Sequence, residues 1–187
     1  MKLFKLVLSA FTFCSILSLY PVLAGSPCSS VSTQEPSQTT KQFRNKEVSF
    51  QIPTNFRILK LEQGLMIQSP WAYEIFMCEK NSNYPGSYSN NGLEINLMNP
   101  KQGTKFVESI FIRDSQAKET YYPGTTAKMI VAAESEGAIA YLLFIKNNKI
   151  VSIAIPMYSL SDGSGSTEVS EEYNGTVDLI MSTIQVK

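Results

Sequence analysis

Ser115 and Lys118 stand three residues apart in "SQAK". On a helix this Ser-x-x-Lys spacing sets an amine beside a serine hydroxyl, which activates a nucleophile for acyl transfer. Penicillin-binding enzymes that use the pair need two further motifs. Here "SDG" at Ser161 is a loose echo of one, and no Lys-Thr-Gly segment exists. A polar surface helix accounts for the pair without chemistry. The stretch "SDGSGSTE" offers Asp162, Ser164, Ser166 and Glu168 at alternate positions, a spacing that suits a hard cation. A calcium loop would need glycine and glutamate where Thr167 and Tyr173 stand. No lysine follows the glycines as in a phosphate loop. Glu168, Glu171 and Glu172 crowd an expected helix start, where the helix dipole favours acids.

The chain has no histidine. That removes His-based triads, Cys/His dyads and imidazole metal sites together. Two cysteines at long spacing do not make a structural zinc site by themselves. No metal and no cofactor is expected. Carboxylate, lysine or serine catalysis stays open, so a small hydrolase is one reading of the chain.

The first residues, "MKLFKLVLSAFTFCSILSLYPVLAG", follow the order of a secretory signal peptide. Lys2 and Lys5 lead an apolar run, Pro21 breaks it, and Ala24 ends a small-residue cleavage site. The run is short of the roughly 20 residues of a bilayer span. Cleavage after Ala24 would leave residues 25–187 with no integral membrane segment. Pro27 precedes Cys28 and argues against lipidation there. Cys14 falls in the leader, so Cys28 and Cys78 remain. In an exported chain that pair reads as one disulfide; two separate thiols is the other reading. The expected compartment is a periplasm or the cell exterior.

The whole chain carries 16 basic and 16 acidic residues. Losing the two leader lysines leaves a net charge of −2. That balance offers nothing to nucleic acid.

Residues 25–42 are rich in Ser, Thr, Gln and Pro and read as a flexible arm. Residues 43–187 read as one α+β domain. Val48, Phe50 and Ile52 alternate in a strand before Pro53, and "NFRILKLE" and "LMIQSP" are extended. "WAYEIFMCE" alternates Trp71, Tyr73, Ile75 and Met77 against Ala72, Glu74, Phe76 and Cys78, and "LEINLM" follows in the same rhythm. Phe106, Val107, Ile110 and Phe111 then recur at helical spacing after a Thr104 cap, with Ile112 off that face. Three strands follow, the last two joined by Asn147-Asn148, a hairpin signal. A final helix capped by Thr167 should carry Val169, Tyr173, Val177, Ile180, Met181 and Ile184 on one stripe. An antiparallel sheet covered by two helices results.

Two turns, "NYPG" and "YYPG", place Pro then Gly beside tyrosines. Tyr84, Tyr88, Tyr121 and Tyr122 are rigid aromatics near adaptable polar residues, a composition suited to protein recognition.

The element order resembles that of the PsbP family, extrinsic proteins of the photosynthetic lumen and their relatives. "VSFQIPTNF", "SPWAYEIFMC", the middle helix, "AIAYLLFIKNNKIVSIAIP" and a last helix followed by "IQV" carry the likeness. It implies an α/β/α sandwich, an accessory role, a protein or membrane-complex partner, and the thylakoid lumen as a further compartment. The sequence thus favours an exported, non-catalytic accessory or protein-binding domain. The alternatives are a small hydrolase and a small-ligand carrier with an apolar cavity beneath its helices.

Overall fold

The computed structural model describes residue 28 and residues 34–82, 92–134, 137–159, 167–169, 173 and 175–187. The elements run β1 Thr40–Arg44, β2 Val48–Pro53, β3 Arg57–Lys60, β4 Leu65–Gln68, α1 Pro70–Ser82, β5 Leu93–Met98 and α2 Pro100–Arg113. They continue with β6 Lys118–Tyr121, β7 Lys128–Glu134, β8 Gly137–Lys146, β9 Lys149–Ser159, β10 Thr167–Val169, α3 Thr176–Thr183 and β11 Gln185–Val186. The class is α+β with antiparallel strand pairing, as the sequence implies. The large sheet has the order β3-β4-β5-β9-β8-β7-β6, with β10 paired to the far end of β9. A second sheet has the order β1-β2-β11. Residues 1–24, the expected leader, lie outside the described residues.

The β8–β9 hairpin is the centre of the large sheet. Asn147 and Asn148 take positive φ of 49° and 57°, the left-handed pair that a two-residue hairpin turn requires. Register then runs from Lys146↔Lys149 to Ala138↔Met157. Side chains alternate across the sheet, so each strand feeds two cores. Leu142, Val151, Ile153 and Ile155 join Leu65, Ile67, Leu93 and Ile95 on one face. Val48, Phe50 and Ile52 of the small sheet, with Val177, Ile180 and Ile184 of α3, close that main core. On the other face Ile130, Tyr141 and Leu143 pack under Ile110 of α2, with Phe106, Val107 and Phe111 beside it. The second face is therefore covered rather than bare, and three helices occur among the described residues where the sequence suggests two.

Four local expectations are corrected. "WAYEIFMCE" is helical: Ser69 caps α1, its hydroxyl accepting from the Ala72 amide at 3.1 Å, and Pro70 supplies a fitting first-turn φ. With apolar residues on every side, the segment satisfied a period of two as well. The cap of α2 is Asn99, not Thr104. Asn99 accepts from the Gln102 amide at 2.9 Å and Gln102 returns a bond of 3.0 Å, a capping box that starts the helix five residues earlier. Thr104 bonds back to the Pro100 carbonyl instead. Thr167 opens a strand instead of a helix: it starts β10 opposite Ser159. α3 begins only after Gly175, whose φ of 75° is left-handed. Tyr173, Val177, Ile180 and Ile184 still reach the main core and Met181 packs against it, so the stripe survives without its first helical turns.

β1 starts at Thr40, inside the stretch whose composition reads as an arm, and pairs with β2 from Thr40↔Pro53 to Arg44↔Ser49. Lys41 fastens it, donating to the carbonyls of Thr54 at 2.8 Å and Phe56 at 2.6 Å. Burial, then the nearby Arg57, lowers its pKa. At the end of α2, Asp114 accepts from the Gln116 and Ala133 amides, both at 2.8 Å, and ties the helix to β7. Those two backbone bonds hold its carboxyl below the usual range.

Cys28 is buried and joined to Cys78 of α1, 50 positions away, with Cα atoms 5.8 Å apart. A loop of that length constrains the unfolded chain by about 4 kcal/mol in the entropy account. The C28S/C78S variant should therefore show a lower urea midpoint while keeping its sheet spectrum. An unchanged midpoint would show that the bond constrains nothing.

Candidate functional site

Tyr121 and Tyr122 do not form one patch. Tyr84 and Tyr88 lie outside the described residues. Tyr121 ends β6 and is 63% exposed. Tyr122 packs against the main core, and its hydroxyl donates to Asp178 of α3 at 2.8 Å. Its amide donates to the Ala127 carbonyl and its own carbonyl accepts from the Thr125 amide, so the residue anchors the turn. Neighbours on a strand point to opposite faces, and that alternation separates Tyr121 from Tyr122.

What Tyr121 does share is a face with Ile145. Register places Tyr121 opposite Lys128, Lys128 opposite Leu143, and Ile145 opposite Ile150. Leu143 and Ile150 belong to the core beneath α2, so all of these side chains point to the α2 side. Gly103 of α2 rests directly on Ile150; a Cβ there would collide with the Ile150 side chain. The helix cover stops at that contact. Ile145, the next residue across the sheet, is 77% exposed. From strand spacing, Tyr121 and Ile145 stand roughly 12 Å apart. Between them Lys128 pairs with Glu119 at 2.8 Å, and that hydrogen bond raises the lysine pKa. Pairing of β7 with β8 ends at Leu143, and a groove of about 530 Å³ runs past Phe144, Ile145, Lys146 and Met181.

The Ser115–Lys118 pair lacks the geometry its chemistry needs. α2 ends at Arg113; Ser115 is in a turn and Lys118 opens β6. Of the candidate acids and hydroxyls, Asp162, Ser164, Ser166, Glu171 and Glu172 lie outside the described residues. Glu168 falls in β10 rather than at a helix start.

A feature with no sequence signal is a cleft of about 570 Å³ between the turn joining β1 to β2 and the turn joining β3 to β4. Val48, Leu61, Leu65, Ile95 and Leu97 give it an apolar floor, and Lys46, Glu47, Lys60 and Glu62 stand at its rim. Asn45 shapes one wall, its side-chain oxygen accepting from the Glu47 and Val48 amides at 2.8 and 2.7 Å. Lys187 clamps the same turn, amide to the Glu47 carbonyl at 2.9 Å and Nζ to the Asn45 carbonyl at 2.8 Å. The hairpin tip braces it too: Lys149 pairs with Glu47 at 3.6 Å and the Asn147 amide side chain donates to the Val186 carbonyl.

No family model matches the chain, and no curated protein matches it. The site must be read from its own geometry, in which an uncovered end of the large sheet lies on one face and the cleft opens toward the other.

Two outcomes are expected. A methyl group at Gly64 would stand 2.5 Å from the Ile95 carbonyl oxygen, and backbone in a paired strand cannot yield. G64A should lose about 1–3 kcal/mol, the usual cost of overpacking, read as a lower melting temperature; an unchanged melt would refute the close approach. For Tyr122, burial first and then the Asp178 hydrogen bond push the hydroxyl up to about 12. The unfolded chain ionises it near 10. The protonated form therefore stabilises the fold fully below about pH 10, and this contribution disappears as pH rises through about 12. Stability of Y122F should fall less steeply than wild type across that window, and parallel profiles would contradict the assignment.

Proposed function

We propose that the protein is an exported accessory domain that does no chemistry itself and docks a protein partner at the uncovered end of its large sheet. The observation that carries this reading is the exposure of Ile145 and Tyr121, 77% and 63%, on the sheet face beyond the start of α2. Monomeric surfaces scatter single apolar residues, but here a β-branched and an aromatic side chain share one sheet face, and Ile145 and Lys128 line a groove there. Aromatic anchors on rigid elements are what dominate binding energy at protein interfaces. Lys128 is neutralised by Glu119, so the partner's matching surface is apolar at its centre. Rigid strands also mean that little ordering entropy is lost on docking.

Export is supported by the leader-like first residues and by the Cys28–Cys78 bond, since such bonds persist in oxidising compartments. No helix among the described residues is long and apolar enough to cross a membrane. The PsbP resemblance supports the same kind of role, because it implies an accessory protein that attaches to a larger assembly. A serine–lysine hydrolase gains no support from a pair split between a turn and a strand.

The test uses immobilised protein and envelope extract of its native host, comparing wild type with Y121A/I145S. Both residues are exposed, so the variant should melt as wild type does. Loss of one hot-spot side chain costs about 2 kcal/mol or more, or about thirtyfold in affinity, and specifically retained protein should fall by at least that factor. Equal retention by the folded variant would overturn the docking surface.

A further inference from the structure

We infer that the cleft between the two sheets binds an organic anion with an apolar body, such as a medium-chain carboxylate. This is independent of the docking surface, which lies on the opposite face of the large sheet.

The floor supplies the first half of the specificity. Leu65 and Ile95 are nearly fully buried, whereas Leu97 is half-buried and Leu61 is 36% exposed. The apolar part of the lining thus extends from core to open wall, which suits a chain of methylenes. Its volume of about 570 Å³ falls within the range of small-molecule sites. Val48, on the opposite side, belongs to the small sheet, so a ligand there would bridge the two sheets.

The rim supplies the second half. Its charged groups are Lys46, Glu47, Lys60 and Glu62. Glu47 is paired with Lys149; the Lys187 ammonium, outside the lining, donates to the Asn45 carbonyl and keeps its charge. Lys46 and Lys60, one from each wall, have no carboxylate within ion-pair distance among the described residues. The remaining acid of the lining is Glu62, on the same wall as Lys60. The unpaired charge of the lining residues is therefore positive by one, two lysines against Glu62, with a cation on each wall. A single carboxylate between Lys46 and Lys60 balances it, while the apolar tail follows Leu61, Leu97 and Ile95 inward.

The walls are held before any ligand arrives. Asn45 folds its turn onto the Glu47 and Val48 amides, and the Leu61 amide donates to the Gly64 carbonyl at 3.0 Å to close the facing turn. Gly64 is needed because Ile95 and Asn96 leave no room for a side chain.

The experiment titrates the intact protein with dodecanoate, and separately with dodecyltrimethylammonium, below their micelle concentrations, following isoleucine and leucine methyl resonances. Dodecanoate should shift the methyls of Leu61, Leu65, Ile95 and Leu97 in a saturable way, and the cationic amphiphile should bind more weakly. K46E/K60E alters two exposed side chains and should melt as wild type. It should bind dodecanoate at least tenfold more weakly and reverse the preference between the two amphiphiles. No saturable shift at those four residues in the wild type, or equal dodecanoate affinity in the charge-reversed protein, would overturn the inference. Partner retention in envelope extract should be unaffected by K46E/K60E, which separates this result from the docking test.

Discussion

The register of β8 on β9 is the constraint on which the rest of the structure depends. Two asparagines with positive φ set it at the tip, and ten and eleven residues of strand then run from that turn. Because side chains alternate, the hairpin supplies Leu142, Val151, Ile153 and Ile155 to one core and Tyr141, Leu143 and Ile150 to the other. A slip of one residue would exchange the two sets and leave Ser152 and Ala154 facing the small sheet. β5 and β7 read their positions from the hairpin's outer edges, and α2 and α3 read theirs from its two faces. Even the small sheet is tied to it, through Asn147 to Val186 and Lys149 to Glu47.

Both surfaces singled out for binding are consequences of that arrangement. Gly103 lets α2 approach Ile150 closely, and the approach fixes where the helix begins to cover the sheet. Ile145 pairs with Ile150 in register, yet one is roofed and the other is not. On the opposite face, the small sheet covers the large one only up to the turns at Asn45–Glu47 and Lys60–Gly64. The gap between those turns is the cleft. The docking surface lies on β6 to β8, and the cleft lies between β3 to β5 and the small sheet on the other side, so occupancy of one does not obstruct the other.

Much of this was legible in the sequence. The Asn-Asn turn between long apolar strands, the alternation of Val48, Phe50 and Ile52 and the helical face of Phe106 to Phe111 all express local chemistry that survives folding, while the long-range pairing of Cys28 with Cys78 follows from the cysteine count and the expected oxidising compartment. α1 was misread because its apolar residues fit two periods, although Ser69-Pro70 marked a helix start. The beginning of α3 was misread because Gly175 ends a stripe that the pattern alone continues backward to Thr167. Exposure of Ile145 has no local signature at all: it continues the alternation of Tyr141 and Leu143, and only the end of the α2 cover sets it apart. The cleft is equally silent, since Asn45–Glu47, Lys60–Leu65 and Ile95 meet only once two sheets have formed. Tyr121 and Tyr122 looked like one patch because adjacency in sequence says nothing about which face of a sheet a residue takes.

The central claim, that the sheet face beyond α2 is where a partner sits, is tested most directly by solvent paramagnetic relaxation at isoleucine methyls, in the free protein and in its native assembly. Ile145 and Ile150 are neighbours across one hairpin and provide an internal comparison. The account predicts that Ile150 is shielded in both states, and that Ile145 is accessible in the free protein and shielded in the assembly. An Ile145 methyl equally accessible in both states would contradict it.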